Sequence, residues 1–211
     1  YRRWRAWKLE NYPVRTESIV VEVRDPRNPS PTETQELLRI CRKANMAIYR
    51  SRLGDEADKD IPRRFGAHFG LHRLDSNLLA DEDSITSIEA VPGKSGRGYI
   101  PYSNRRLLWH TDGYYNPETR RIRVFLLHCV QPAAEGGENA LLDPEIAYIR
   151  LRDANPDYIR ALMAPDAMTI PPNTEEGAER PASVGPVFSV DSTGGNLHMR
   201  YTARTRSIVW K

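Results

Sequence analysis

Apolar and polar positions alternate over residues 17–23, where branched side chains dominate. This two-residue period predicts a strand, closed by the turn-forming Asp25-Pro26-Arg27-Asn28-Pro29. The period then lengthens. Leu37, Leu38, Ile40, Cys41 and Ala44 form the buried stripe of a helix that Ser30 caps, with Pro31 at its first position and Glu33 completing a capping box. Residues 46–49 predict a short inner strand. Asp60 with Pro62 opens a second helix through Leu74, weakened by Gly66 and Gly70. Residues 85–91 predict a further strand, and 92–104, with three glycines and two prolines, a long loop. The strongest strand signal is 122–130, whose few polar interruptions suit a central strand covered on both faces. Asp143-Pro144-Glu145 and Asn155-Pro156-Asp157 each place an Asx cap before a helix-starting proline. Residues 170–186 read as loop, and 187–190 with 196–202 flank Asp191-Ser192-Thr193-Gly194-Gly195 as a hairpin.

These elements amount to helices decorating a mostly antiparallel sheet. Helices do not alternate regularly with strands, and no G-x-G-x-x-G or Walker sequence occurs, which does not suit a doubly wound nucleotide fold. With 211 residues, 39% of them apolar, one core is expected, so 1–211 reads as a single domain. Cys41 and Cys129 lie among apolar neighbours and read as small core residues of a reduced, cytoplasmic protein. No stretch is long and apolar enough to suit a membrane span, and the basic start lacks the apolar run of a signal peptide. The first residue is not methionine, so residues in front are expected, and the same holds behind.

Charge narrows the partner. The formal balance of +3 arises from 31 basic and 28 acidic side chains spread along the chain, which does not indicate nucleic acid. Only five of the basic residues are lysine. The arginine fork suits carboxylates, phosphates and sulfonates, so a small anionic molecule is the expected partner, although surface ion pairs account for most arginines. A homo-oligomer is compatible with the sequence.

Chemistry concentrates in Leu108-Trp109-His110-Thr111-Asp112-Gly113-Tyr114-Tyr115. On an extended strand His110 and Asp112 face the same side, so an imidazole nitrogen and a carboxylate oxygen can reach one metal ion. They make two thirds of the facial triad of non-haem iron oxygenases. Trp109, Tyr114 and Tyr115 can wall such a site or pack in a core. His68 and His72 share a helix face without the glutamate of an H-E-x-x-H, and a surface or half-buried role is expected of them. His128 is expected to be a satisfied core histidine. Arg121 and Arg123 sit in a charged run that solvated strand ends explain, with anion docking as the alternative.

Trp109-His110-Thr111-Asp112-Gly113, then a buried strand, Pro132 and Glu135-Gly136-Gly137-Glu138-Asn139 before a helix, resembles the taurine dioxygenase-like (TauD/TfdA) family of oxygenases. The resemblance implies a double-stranded β-helix of the jelly-roll, clavaminate synthase-like type with flanking helices. It implies Fe(II), 2-oxoglutarate and O2 as co-reactants, and hydroxylation of a small organic substrate with release of succinate and CO2. His110 and Asp112 fall on the first two iron ligands. Asn139 falls where the family places a threonine that contacts 2-oxoglutarate, and its amide can still donate to a carboxylate.

The resemblance further implies a distal histidine as third ligand and, after it, an arginine for 2-oxoglutarate. His198 is the last histidine, and the thirteen residues after it leave little room for the expected strands. Arg204 and Arg206 follow it closely. The third ligand, the arginine and the final strands are therefore expected beyond Lys211, with His198 as the alternative ligand and Arg200, with Trp109 and Tyr114, on the substrate side. A zinc-dependent hydrolase or lyase, and a catalytically silent small-molecule-binding module without a complete metal triad, remain the other classes.

Overall fold

The computed structural model describes residues 1–75, 83–89, 103, 105–174, 179–192, 194–204 and 208–211. The chain divides into two compact units, Tyr1–Arg73 with Leu126–Arg150, and Leu74–Phe125 with Leu151–Lys211.

The first unit opens with helix α1 (Arg2–Asn11), which no apolar stripe announces. A 3-10 turn (Thr16–Ile19) leads into strand β1 (Val20–Glu22), so only the second half of the expected strand at 17–23 is extended. Helix α2 (Pro31–Ala44) forms as its ends dictate. Ser30 Oγ accepts from Glu33 N at 3.2 Å, Glu33 Oε2 accepts from Ser30 N at 2.6 Å, and Asn45 ends the helix in the left-handed region at φ 54°. Strand β2 (Ile48–Arg50) returns parallel to β1, completing a β-α-β crossover. Ile19, Val21, Val23, Leu37, Ile40, Ala44 and Phe65 make the core, with Tyr49 and Leu126 against it. Helix α3 (Asp60–Ala67) stops well short of Leu74, and the chain reaches φ +76° at Gly70, which only glycine adopts cheaply.

Lys8 of α1 is fully buried, 2.6 Å from Asp143 Oδ2 and 2.5 Å from Glu145 Oε2. Asp143 Oδ1 accepts from Asn45 Nδ2 and from Glu145 N, the latter capping α4 (Pro144–Ala154). Trp4 packs its ring edge on Tyr148 with centroids 6.0 Å apart.

The second unit holds α5 (Pro156–Leu162), capped by Asn155, and two small antiparallel sheets. One joins β3 (Met168–Ile170) to β4 (Ser183–Gly185) and to β7 (Val209–Trp210). The other is the expected hairpin of β5 (Phe188–Val190) and β6 (Leu197–Met199). Buried apolar side chains here include Ile159, Met168, Ile170, Val187 and Phe188. Strands β3 and β4 occupy the edges of what reads as loop.

Four expectations differ from the structure. Residues 122–130 form no ladder among the described residues, and Val124, Phe125 and Leu127 are exposed rather than covered. β-propensity supplies an extended run but no partner, and pairing is a property of the neighbouring chain. The strands form three small separate sheets and no closed barrel among the described residues. Cys129 is exposed, because the run that carries it is not enclosed. Residues 85–89 have no regular structure, while 90–91 and most of 92–104 lie outside the described residues.

Candidate functional site

His110 is held from behind by main chain. It forms an isolated antiparallel bridge with Thr202, in which Thr111 N donates to Tyr201 O at 2.9 Å and Ala203 N to Trp109 O at 2.7 Å. Thr111 adds to this, its Oγ1 accepting from Tyr201 N at 3.0 Å. The extended geometry lasts for that single bridge. Asp112 already begins a turn, closed by Asn116 N donating to Gly113 O at 2.8 Å. Gly113 sits at φ +64°, and a Cβ there would come within 2.5 Å of Ile122 Cγ1 and 2.8 Å of Asn116 Nδ2. Glycine is thus required twice at this corner, by backbone hand and by space.

The turn brings the pair together. His110 Nε2 stands 3.5 Å from Asp112 Oδ1. His110 Nδ1 lies 2.7 Å from Leu108 O, and a carbonyl can only accept, so Nδ1 carries the hydrogen and the neutral ring presents its lone pair at Nε2. Asp112, first among the causes, raises the His110 pKa above its ordinary value, with burial opposing and the Leu108 carbonyl assisting. An imidazole lone pair and a carboxylate oxygen at this separation can both lie ~2.1 Å from one first-row metal ion. The donor set therefore suits ferrous ion. Among the described residues no third His, Cys, Asp or Glu joins the two.

Aromatic groups follow directly. Tyr114 and Tyr115 meet edge to face, centroids 5.2 Å apart, and the Arg180 guanidinium lies over the Tyr115 ring at 5.4 Å. The Tyr115 pKa is raised, chiefly by burial, then by Tyr114, Asp112 and Asp75, with Arg180 acting oppositely. Trp109 is half exposed, 50% of its surface remaining open.

The remaining candidates separate. His198 sits on β6, where burial, and then Arg121, Arg123 and Arg200, push its pKa down to about 4. Arg200 is buried and lacks a carboxylate among the described residues. Its fork donates to the carbonyls of Met168, Gly185, Ser183 and Pro186 and to Ser183 Oγ, tying β3, β4 and the hairpin together. Asn139 belongs to the first unit, exposed, its amide donating to Gly137 O at 3.3 Å. His128, also in the first unit, stacks beside Tyr49 with Nδ1 2.6 Å from the phenol oxygen, while its buried Nε2 has no hydrogen-bond partner among the described residues. His68 and His72 are exposed. Arg121 and Arg123 pair with Glu118 and Asp191, each at 2.8 Å.

Arg180 and the Leu108 carbonyl escape sequence reasoning. The carbonyl has a local signal, since a histidine two residues on can fold back to it. Arg180 has none, because its place over Tyr115 is set by distant chain.

A uridine-5'-phosphate dioxygenase of Amycolatopsis sp is 37% identical over 99 residues, 45% of this chain and 33% of that protein. Another, of Streptomyces sp, is 31% identical over 134 residues, 63% of this chain and 47% of that protein. The chain thus spans a third to about half the length of these curated relatives. No solved structure matches it significantly. The family described as taurine catabolism dioxygenase TauD, TfdA matches residues 8–210, and with the paired His110 and Asp112 inside that span the chain belongs to the TauD/TfdA dioxygenase family.

Proposed function

We propose that this chain carries an Fe(II)- and 2-oxoglutarate-dependent dioxygenase activity that hydroxylates a small anionic substrate, a phosphate monoester of the uridine 5'-phosphate kind. The convergence of His110 Nε2 and Asp112 Oδ1 carries the reading. The substrate class draws on what the two relatives are named for and on the arginine excess. A double-stranded β-helix with flanking helices is the core we assign, as the family implies.

His110 and Asp112 would hold the iron. Bound there, ferrous ion would supply oxygen activation coupled to oxidative decarboxylation of 2-oxoglutarate to succinate and CO2, the chemistry needed to attack an unactivated C–H bond. The chain's own contribution is orientation and exclusion. The Leu108 carbonyl keeps the proton on Nδ1 and the lone pair of Nε2 outward. The bridge to Thr202 and the Gly113 turn fix the angle between the two ligands. Trp109, Tyr114 and Tyr115 border the site and limit water, and Asn139 is the residue we assign to 2-oxoglutarate.

A second reading rests on one observation, that no third ligand accompanies the pair among the described residues. In that reading the chain binds small molecules without turnover. Anaerobic addition of Fe(II) and 2-oxoglutarate separates the two. The oxygenase gives a weak visible charge-transfer band that His110→Ala removes, and releases succinate when oxygen and substrate are admitted. A protein showing neither band nor succinate would refute the oxygenase.

A further inference from the structure

Several arginines of the second unit are engaged in place. Arg120 meets Asp75 at 2.7 Å, Arg121 meets Glu118 and Arg123 meets Asp191, while Arg200 is committed to carbonyls. Arg180 differs. Among the described residues its only side-chain hydrogen bond goes from Nη1 to Pro181 O at 3.1 Å, and no carboxylate pairs with it. A guanidinium has five N–H donors, so among the described residues most of this fork is unclaimed.

An arginine with free donors ordinarily drifts in solvent. This one is positioned twice over. Its main chain exchanges two hydrogen bonds with Asn173, N to O and O to N, both 2.9 Å. Its half-buried side chain lies over Tyr115, 5.4 Å from the ring centroid, and stacking leaves the planar edge of the fork open for a bidentate oxyanion. Tyr115 stands in the turn that Asp112 opens, braced by Tyr114. The shelf under the cation is therefore continuous in chain with the His110 and Asp112 pair.

We propose that Arg180, seated on Tyr115, is the residue that receives the phosphate of the substrate and so selects a phosphate monoester over its neutral alcohol. This deepens the proposed function and rests on it for the identity of the site. The same fork chemistry would suit a carboxylate of 2-oxoglutarate, and the test separates the two sources.

Metal-free protein is titrated calorimetrically with uridine 5'-phosphate, uridine and 2-oxoglutarate, for the unaltered chain, Arg180→Gln and Arg180→Lys, with circular dichroism confirming that each variant folds. The unaltered chain should bind the nucleotide about 10- to 100-fold more tightly than the nucleoside, as a charge-assisted fork contact provides. Arg180→Gln should erase that ratio and leave nucleoside and 2-oxoglutarate affinities within about twofold, with Arg180→Lys between, since ammonium keeps charge and loses the fork. An undiminished nucleotide preference in Arg180→Gln, no preference in the unaltered chain, or weakening confined to 2-oxoglutarate would each overturn the assignment. Because the titration needs neither iron nor turnover, its outcome is independent of the charge-transfer test above.

Discussion

Replacing Lys8 by methionine tests whether a buried ionic triad holds the amino-terminal helix. The substitution keeps the length and most of the apolar stem but deletes the ammonium that lies 2.6 Å from Asp143 and 2.5 Å from Glu145. Lys8 and Asp143 are both 0% exposed, whereas Glu145 keeps 21% of its side-chain surface in solvent. The cost is thus concentrated on Asp143. It retains Asn45 Nδ2 and Glu145 N as donors, at 2.9 and 2.8 Å, but both are neutral and on one oxygen, leaving Oδ2 charged and uncompensated. Removing one partner of a buried pair costs about 3–5 kcal/mol. Since domains are stable by only about 5–15 kcal/mol, that loss is a large fraction. Asp143→Asn, which preserves the cap, should cost less, about 1–3 kcal/mol, because the ammonium keeps Glu145. The double variant should fall short of the sum by more than about 1 kcal/mol. Urea denaturation monitors this through Trp4, which rests on Tyr148 and reports release of α1, alongside far-ultraviolet circular dichroism for the whole fold. A Lys8→Met protein within about 0.5 kcal/mol of the original, its Trp4 emission unchanged, would show that packing alone seats the helix and would refute the reasoning.

Gly113→Ala should destabilise by about 1–2 kcal/mol through the left-handed backbone, with a further penalty from the contact at 2.5 Å to Ile122. Combining it with Ile122→Ala should recover only the contact part, read by thermal melting and by the intensity of the iron–2-oxoglutarate band. His198 carries a pH signature. Its folded value of about 4 lies below the ordinary 6.5, so between these the unfolded chain binds a proton that the folded chain refuses. The His198 contribution to stability should be constant above pH 6.5 and fall toward pH 4, by about 1–3 kcal/mol after allowance for residual solvent contact, and His198→Gln should flatten that stretch of the denaturation profile. Ser30→Ala should cost about 1 kcal/mol in chemical denaturation by opening the capping box of α2, and a neutral result would mean that Glu33 alone sustains the end.

The parts that sequence foretells are those with local causes. The Ser30 box, the Asn155 and Asp143 caps and the β5–β6 hairpin each depend on residues within a few positions of one another. Helix α1 was hidden because its anchor is a lysine paired with carboxylates far along the chain, the reverse of an apolar stripe. The run 122–130 shows the opposite failure, apolar content without a partner to ladder against. At the site, the spacing of His110 and Asp112 was informative although the reason differed. They converge through a glycine turn rather than along a strand, with only one bridge of extended chain at His110. The fold-back of Nδ1 onto Leu108 and the seating of Arg180 on Tyr115 depend on backbone geometry that no motif encodes.

The clasp between Thr111 and Tyr201 joins positions 90 apart in the chain. On a ribosome adding ~5–20 residues per second, His110 emerges roughly 5–20 s before the segment that will orient it. Until then the imidazole swings on an unbraced peptide, and an ion arriving early would meet a loosely placed pair. Under the proposed function, loading of a metal would therefore follow, not guide, the closing of this hinge of backbone.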